Sequence, residues 1–276
     1  MKKDKNIHWW IYIIIVCWQT HLGLGYSYTT EYEQLGNTFI TNLRKFEQGQ
    51  ISGTANFSSY DNYKNLVDFI EASESLRFSY KIPFQNGQKE YFKDVQIQSI
   101  TKTQKQTNGI ISETVTFDCL SLWYEENTFI HTIQPKTNEI RWDFKWDSKF
   151  IDYSTRSLQY INNGHVESPI LVEINGHVEN PKIELYVEGQ LYQELPFTVE
   201  IEEYEKLLYG TQEGNFYLNR QKTDGTLENL FKLDVLDPKN DEVIRLPKNK
   251  SCELRLTADN EILNAKVTIF AYYKAI

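Results

Sequence analysis

The chain has 276 residues, a formal net charge of −9 and an aromatic content of 14%, mostly Tyr and Phe. That length allows about two domains, each with its own core, and the acidic balance excludes a protein that grips nucleic acid through clustered Lys and Arg. The three cysteines, Cys17, Cys119 and Cys252, are far apart and odd in number, so no disulfide framework or zinc knuckle can be read from them.

Residues 1–23 are an atypical lead. Lys2, Lys3 and Lys5 precede the largely apolar run Ile7 to Trp18, as in the charged and apolar regions of a signal peptide. The run is heavy with Trp and Tyr, however, and Gly23-Leu24-Gly25 is a poor stand-in for an Ala-x-Ala cleavage site. Val16 before Cys17 argues against a lipoprotein, and the run is too short to span a bilayer. Three readings stay open: a buried strand or packed lead, an export signal, or a misassigned start.

From Leu24 to Tyr32 aromatic and polar residues alternate, as in a half-buried strand. Gly36-Asn37 then predicts a tight turn, and Thr38 to Phe46 runs back. This long hairpin mixes charged and aromatic residues. Tyr32, Phe39, Arg44 and Phe46 are its candidate inter-subunit residues, because an unpaired edge is either protected or used to clasp a neighbour. A strand around Ile51 to Phe57 leads into the best-marked helix of the chain, about residues 59–73. Ser58 and Ser59 offer its N-cap, and Asp61 suits the positive end of the helix dipole. Tyr63, Leu66, Val67 and Ile70 form one apolar stripe. A helix of about 13 residues is marginal alone in water, so it needs a sheet to lie on. Leu76 to Tyr80 reads as a strand that Pro83 closes. Tyr91 to Thr101 and Glu113 to Tyr124 flank the turn signal Asn108-Gly109, with Val115, Phe117 and Cys119 on one face. On that face Cys119 reads as a buried, inert thiol. Thr128 to Ile133 and Glu139 to Trp146 look like two more short strands, with Trp142, Phe144 and Trp146 read mainly as core.

Asn162-Asn163-Gly164 followed by Pro169 reads as punctuation, which sets a first domain at 24–160 and a second at 161–276. In the second, Ile170, Val172 and Ile174 alternate, as do Ile183, Leu185 and Val187, then Phe197, Val199 and Ile201. Turns are marked at Asn175-Gly176, Glu188-Gly189 and Asp224-Gly225. Cys252, Leu254 and Leu256 and the run Ala265 to Tyr273 complete the set. Short strands at this even spacing indicate an antiparallel sandwich.

Motifs for a phosphate loop, a serine elbow or a zinc helix are absent. A near repeat places His165 and Glu167, then His177 and Glu179, between Asn-Gly and Pro. Metal ligation would need the two loops to meet, whereas a strand between them holds its ends apart, so no metal or other cofactor is expected. The acidic cluster Glu200, Glu202, Glu203 and Glu205 reads as a solvated edge, which leaves a glycan-cleaving enzyme, with Glu202 and Glu205 as its carboxylates, without a cleft to work in. All six Trp lie at or before Trp146, so a sugar-stacking site in the second domain would have to use Tyr or Phe.

The order of these parts resembles the distal tail protein of long non-contractile-tailed phages of Gram-positive bacteria. The resemblance is carried by Leu24-Gly25-Tyr26, Thr30-Glu31-Tyr32-Glu33-Gln34 and Glu47-Gln48-Gly49-Gln50-Ile51-Ser52-Gly53. Ser79-Tyr80-Lys81-Ile82-Pro83, Phe117-Asp118-Cys119-Leu120-Ser121-Leu122-Trp123, Arg245-Leu246-Pro247-Lys248 and the aromatic last strand continue it, while the lead departs from the pattern. It implies a β-sandwich with one helix that assembles into a hexameric ring, followed by a galectin-like β-sandwich. The implied role is structural and non-enzymatic, in the virion at the tail tip after assembly in the host cytoplasm. The implied partners are the tail tube protein, a tail-associated lysin or fibre protein and a receptor-binding protein. An acidic lumen would let DNA pass without trapping its phosphates, and no sequence-specific nucleic-acid binding is expected. The alternative is a carbohydrate-binding, lectin-like module exported from a bacterium, with the lead as its signal.

Overall fold

The computed structural model describes residues 21–84, 87–102, 109–133, 157–233, 243–260 and 263–276. The expected strand Glu139 to Trp146, with Trp142, Phe144 and Trp146, lies outside them. So does the charged and apolar part of the lead. Contacts divide the chain into two units, one running to Glu125 and joined by Tyr273–Ile276, the other Glu126–Tyr272.

The first unit holds the strands β1 (His21–Leu22), β2 (Tyr28–Leu35), β3 (Thr38–Phe46) and β4 (Gln50–Phe57), the helix α1 (Tyr60–Ala72), and then β5 (Leu76–Phe84), β6 (Gly87–Ile100), β7 (Ile111–Cys119) and the start of β8 (Trp123–Ile133). Its sheet runs antiparallel in the order β1-β4-β7-β6, with β5 on the first half of β6 and Phe92 of β6 opposite Tyr124 of β8. Period-2 alternation puts Ile51, Ala55, Val95, Val115, Phe117 and Trp123 into one core. Cys119 is buried on this face as expected, and burial pushes its thiol pKa up. Lys93 is buried beside it, with its ammonium 4.9 Å from the Trp123 ring centroid, and burial pushes its pKa down.

The helix forms where its signals put it. Ser59 caps it by accepting from the Asn62 N–H at 3.2 Å, and Tyr63, Leu66, Val67 and Ile70 are its less exposed stripe. Tyr63 packs edge-on against Phe57 of β4, with ring centroids 5.5 Å apart. Pro83 does not close its strand. β5 continues to Phe84, with Pro83 opposite Gln88. β5 pairs only with β6 among the described residues, and on an edge strand a missing N–H costs no ladder bond. The end of the lead is a strand: His21 and Leu22 pair with Gly53 and Ser52. Gly23 follows at φ +100, and a Cβ there would lie 1.8 Å from the Gln50 carbonyl oxygen, so only glycine fits.

The second unit begins with the remainder of β8. Its strands are β9 (Ser157–Ile161), β10 (Ser168–Asn175), β11 (Val178–Glu179), β12 (Lys182–Val187), β13 (Gln190–Pro196), β14 (Glu200–Ile201), β15 (Lys206–Gln212), β16 (Asn215–Gln221), β17 (Leu227–Asn229), β18 (Arg245–Leu246), β19 (Ser251–Thr257) and β20 (Leu263–Tyr273). One sheet contains β20-β10-β15-β16-β17, with β18 on the start of β10. The other is β13-β12-β19-β9, and β11 and β14 make a two-stranded ribbon. The inward residues of both sheets share one core, from Ile170, Val172 and Ile174 to Leu254, Val267 and Ile269. This is the arrangement of a β-sandwich. Glu188 and Gly189, both at positive φ, close the two-residue turn between β12 and β13.

The stretch read as a joint lies inside this unit. Asn162 is fully buried. Its side-chain amide donates to the carbonyls of Val166 at 3.0 Å and Leu246 at 2.9 Å, and its Oδ1 accepts from the Gly164 N–H at 2.9 Å. A segment tied in this way is part of a fold rather than a linker.

Candidate assembly interface

The hairpin of β2 and β3 is a sheet of its own, closed by Gly36 and Asn37 with Gly36 at φ +63. Direct pairs run from Tyr28 opposite Phe46 to Leu35 opposite Thr38, and the register shifts between Glu31 and Tyr32, which leaves Asn42 as the extra residue of a bulge. Residues directly opposite share a face. One face therefore carries Tyr28, Thr30, Tyr32, Gln34, Phe39, Thr41, Arg44 and Phe46. The other carries Leu35, Ile40 and Leu43 among Glu31, Glu33 and Lys45. The four residues singled out from sequence, Tyr32, Phe39, Arg44 and Phe46, all fall on the aromatic face.

They do not form one cluster there. Arg44 and Phe46 belong to the base of the hairpin. The Arg44 guanidinium lies 4.1 Å from the centroid of the Tyr28 ring, and Phe46 meets Tyr28 edge-on at 5.7 Å and stacks with Tyr26 at 6.2 Å. Lys274 donates to the Tyr28 hydroxyl at 2.8 Å, and this bond holds the Tyr28 pKa below its ordinary value. The Glu47 carboxylate accepts from Ser27 at 2.6 Å and from Thr29, which hold its pKa low. Tyr32 and Phe39, further along, are 63% and 69% exposed. Leu35, Ile40 and Leu43 on the opposite face are exposed as well.

Sequence reading missed Tyr28 and Lys274 as the fixings of the base, and it missed the aliphatic second face. Alternation pointed to a half-buried strand, but among the described residues the hairpin buries neither side. Exposed apolar side chains gathered on both faces of one ribbon make it a candidate protein-binding surface.

Of the near repeat, only His177 and Glu179 come together with a further ligand residue among the described residues. Their ligand atoms lie within 4.8 Å of that of Glu200, which the sequence placed in the acidic cluster. His165 and Glu167 are not part of this group. Glu202 and Glu205 form no catalytic pair: the Glu205 carboxylate accepts from the Glu202 main-chain N–H and faces Arg220.

Comparison with known proteins shows what the stretch that carries this arm is similar to. The family described as distal tail protein, N-terminal domain, matches residues 5–120. The match begins inside the lead, so it takes in most of the residues that stood apart from the resemblance. Over 94% of the chain the fold is that of a protein from the phage P2 baseplate in its activated conformation with calcium, at a TM-score of 0.62 and 18% identity, covering 91% of that chain. It is also similar to the SPP1 Dit (gp 19.1) protein, described as a paradigm of the hub adsorption apparatus of phages infecting Gram-positive bacteria. That match has a TM-score of 0.53 and 11% identity and covers 92% of each chain. No curated protein matches the chain. These likenesses in fold, unlike the family match, extend past residue 120.

Proposed function

We propose that this chain is a structural virion protein of the phage tail, a hub that joins the tail tube to the tip apparatus. The observation that carries the reading is the exposed, two-faced hairpin in the stretch that matches the distal tail family. Its apolar residues find no burial among the described residues, and a neighbouring copy supplies it. Six copies close into a ring through the first domain, with Tyr32 and Phe39 seated on the next subunit and Arg44 and Phe46 holding the hairpin base in shape. The tail tube protein stacks on one side of the ring, and a tail-associated lysin or fibre protein on the other. The second, sandwich domain faces outward and offers its surface to receptor-binding parts. The protein catalyses no reaction and works in the virion after assembly in the host cytoplasm.

An exported lectin-like module is not favoured. Cleavage near Gly25 would remove β1, which pairs with β4, together with the closely packed Gly23. Negative-stain microscopy and mass photometry of the purified chain test the proposal. Six-membered rings are expected, and the double variant Tyr32→Ser/Phe39→Ser should stay folded but monomeric. A wild-type chain that remains monomeric at high concentration overturns the ring. Rings that persist in the double variant overturn the role of the hairpin.

A further inference from the structure

The geometry points to a divalent transition-metal site on the β11–β14 ribbon of the second unit, built from His177, Glu179 and Glu200. The pleat dictates the placement. Val178 is opposite Ile201 in the ribbon, and both are fully buried in the sandwich core. The residues next to them must therefore point the other way. Glu179 lies directly opposite Glu200, and His177 is two residues before Glu179, so all three side chains project from the same outer face. His177 Nε2 is 3.5 Å from Glu179 Oε1.

The backbone that carries these ligands is held at every step. The Gly176 N–H donates to the Glu205 carbonyl at 3.0 Å, and the Asn260 side chain donates to the His177 carbonyl at 3.1 Å. The Asp259 N–H donates to the Glu179 carbonyl at 2.9 Å, the Asn180 N–H donates to the Val199 carbonyl at 2.9 Å, and Arg220 donates to the Glu200 carbonyl at 3.0 Å. Gly176 is pressed so close to Glu202 that a Cβ would lie 2.0 Å from its carbonyl oxygen. The ligands therefore hang from a rigid support, which is what a preorganised site requires.

Charge points the same way. Two carboxylates directly opposite on a ribbon repel each other. The nearby guanidinium of Arg220 is directed at the Glu200 main chain, Glu205 and Glu228. A dication between Glu179 and Glu200 turns the repulsion into attraction. The donor set selects the metal. One imidazole with two carboxylates suits Zn²⁺ or Co²⁺, whereas Ca²⁺ and Mg²⁺ take oxygen ligands. Tetrahedral zinc places its ligand atoms about 3.3 Å apart, and small rotations of three exposed side chains close the gap from 4.8 Å. Three protein ligands leave the fourth position to water.

Calorimetric titration of the full, metal-stripped chain with ZnCl₂ and CaCl₂ tests the site, alongside the visible spectrum of the Co²⁺ form. Expected are one zinc per chain with micromolar affinity, calcium at least about tenfold weaker, and a four-coordinate cobalt spectrum. His177→Ala and Glu200→Gln should each weaken zinc at least about tenfold with the melting temperature unchanged, while His165→Ala, in the other half of the repeat, leaves zinc binding intact. The inference is overturned if zinc does not bind, if it binds equally well to both site variants, if His165→Ala abolishes binding, or if calcium binds more tightly than zinc.

Discussion

Two hairpins in this molecule have the same local design and opposite fates. β12 and β13 are joined by two residues, as are β2 and β3, and both ribbons alternate apolar with polar side chains. In the first, Ile183, Leu185 and Leu195 are buried to 2% exposure or less. In the second, every residue of β3 is exposed. Alternation and turn chemistry specify that a hairpin forms, but only the rest of the fold decides whether its apolar face is covered. Among the described residues, the β2–β3 arm thus lacks the burial that stabilises the β12–β13 pair.

Paired substitutions test that contrast most strongly. Leu185→Ala should lower unfolding stability by about 2–5 kcal/mol, since it opens a cavity in a closed core. Phe39→Ala in the isolated chain should change it by no more than about 0.5 kcal/mol. Urea denaturation of both variants measures the difference, and equal losses would end the comparison.

The tyrosines give a second contrast, in alkali. Burial pushes the Tyr209 pKa up to about 12. An unfolded tyrosine ionises near 10, so between pH 10 and 12 the unfolded state holds fewer protons than the native one and stability falls. The fall amounts to at most about 3 kcal/mol and levels off above 12. Tyr209→Phe should remove this part of the pH dependence, at the cost of the bond that the Tyr209 hydroxyl accepts from the Ile244 N–H. Tyr28 at the arm base is shifted downward, by Lys274. It should be the earlier of the two to ionise in an NMR titration, and Lys274→Met should return it toward the ordinary tyrosine value. A Tyr28 that titrates unchanged in Lys274→Met would show that the base is not fixed by this bond.

What could be read in advance follows the range of the interactions. The helix was legible because Ser59, Asp61 and the Tyr63 to Ile70 stripe are all local. The β-rich class and the inward faces of the second unit were legible because period 2 is local too. That Arg44 and Phe46 share a face with Tyr32 and Phe39 was not, because it depends on a bulge that shifts the register by one residue. Pro83 was read as a stop because its strand's edge position is a property of the sheet. Glu200 joins His177 and Glu179 through a pairing of two-residue strands too short to leave a pattern. The Asn162 turn has the composition of a linker, and only its partners at Val166 and Leu246 show that it is interior.

That turn also bears on how long the protein lasts. Asparagine followed by glycine is the dipeptide most prone to spontaneous deamidation, which begins when the glycine nitrogen attacks the asparagine side chain. At Asn163-Gly164 that nitrogen already donates to Asn162 Oδ1, and at Asn175-Gly176 it donates to the Glu205 carbonyl. Both nitrogens are kept from their attack, so the chain carries these two dipeptides in a form that resists chemical ageing.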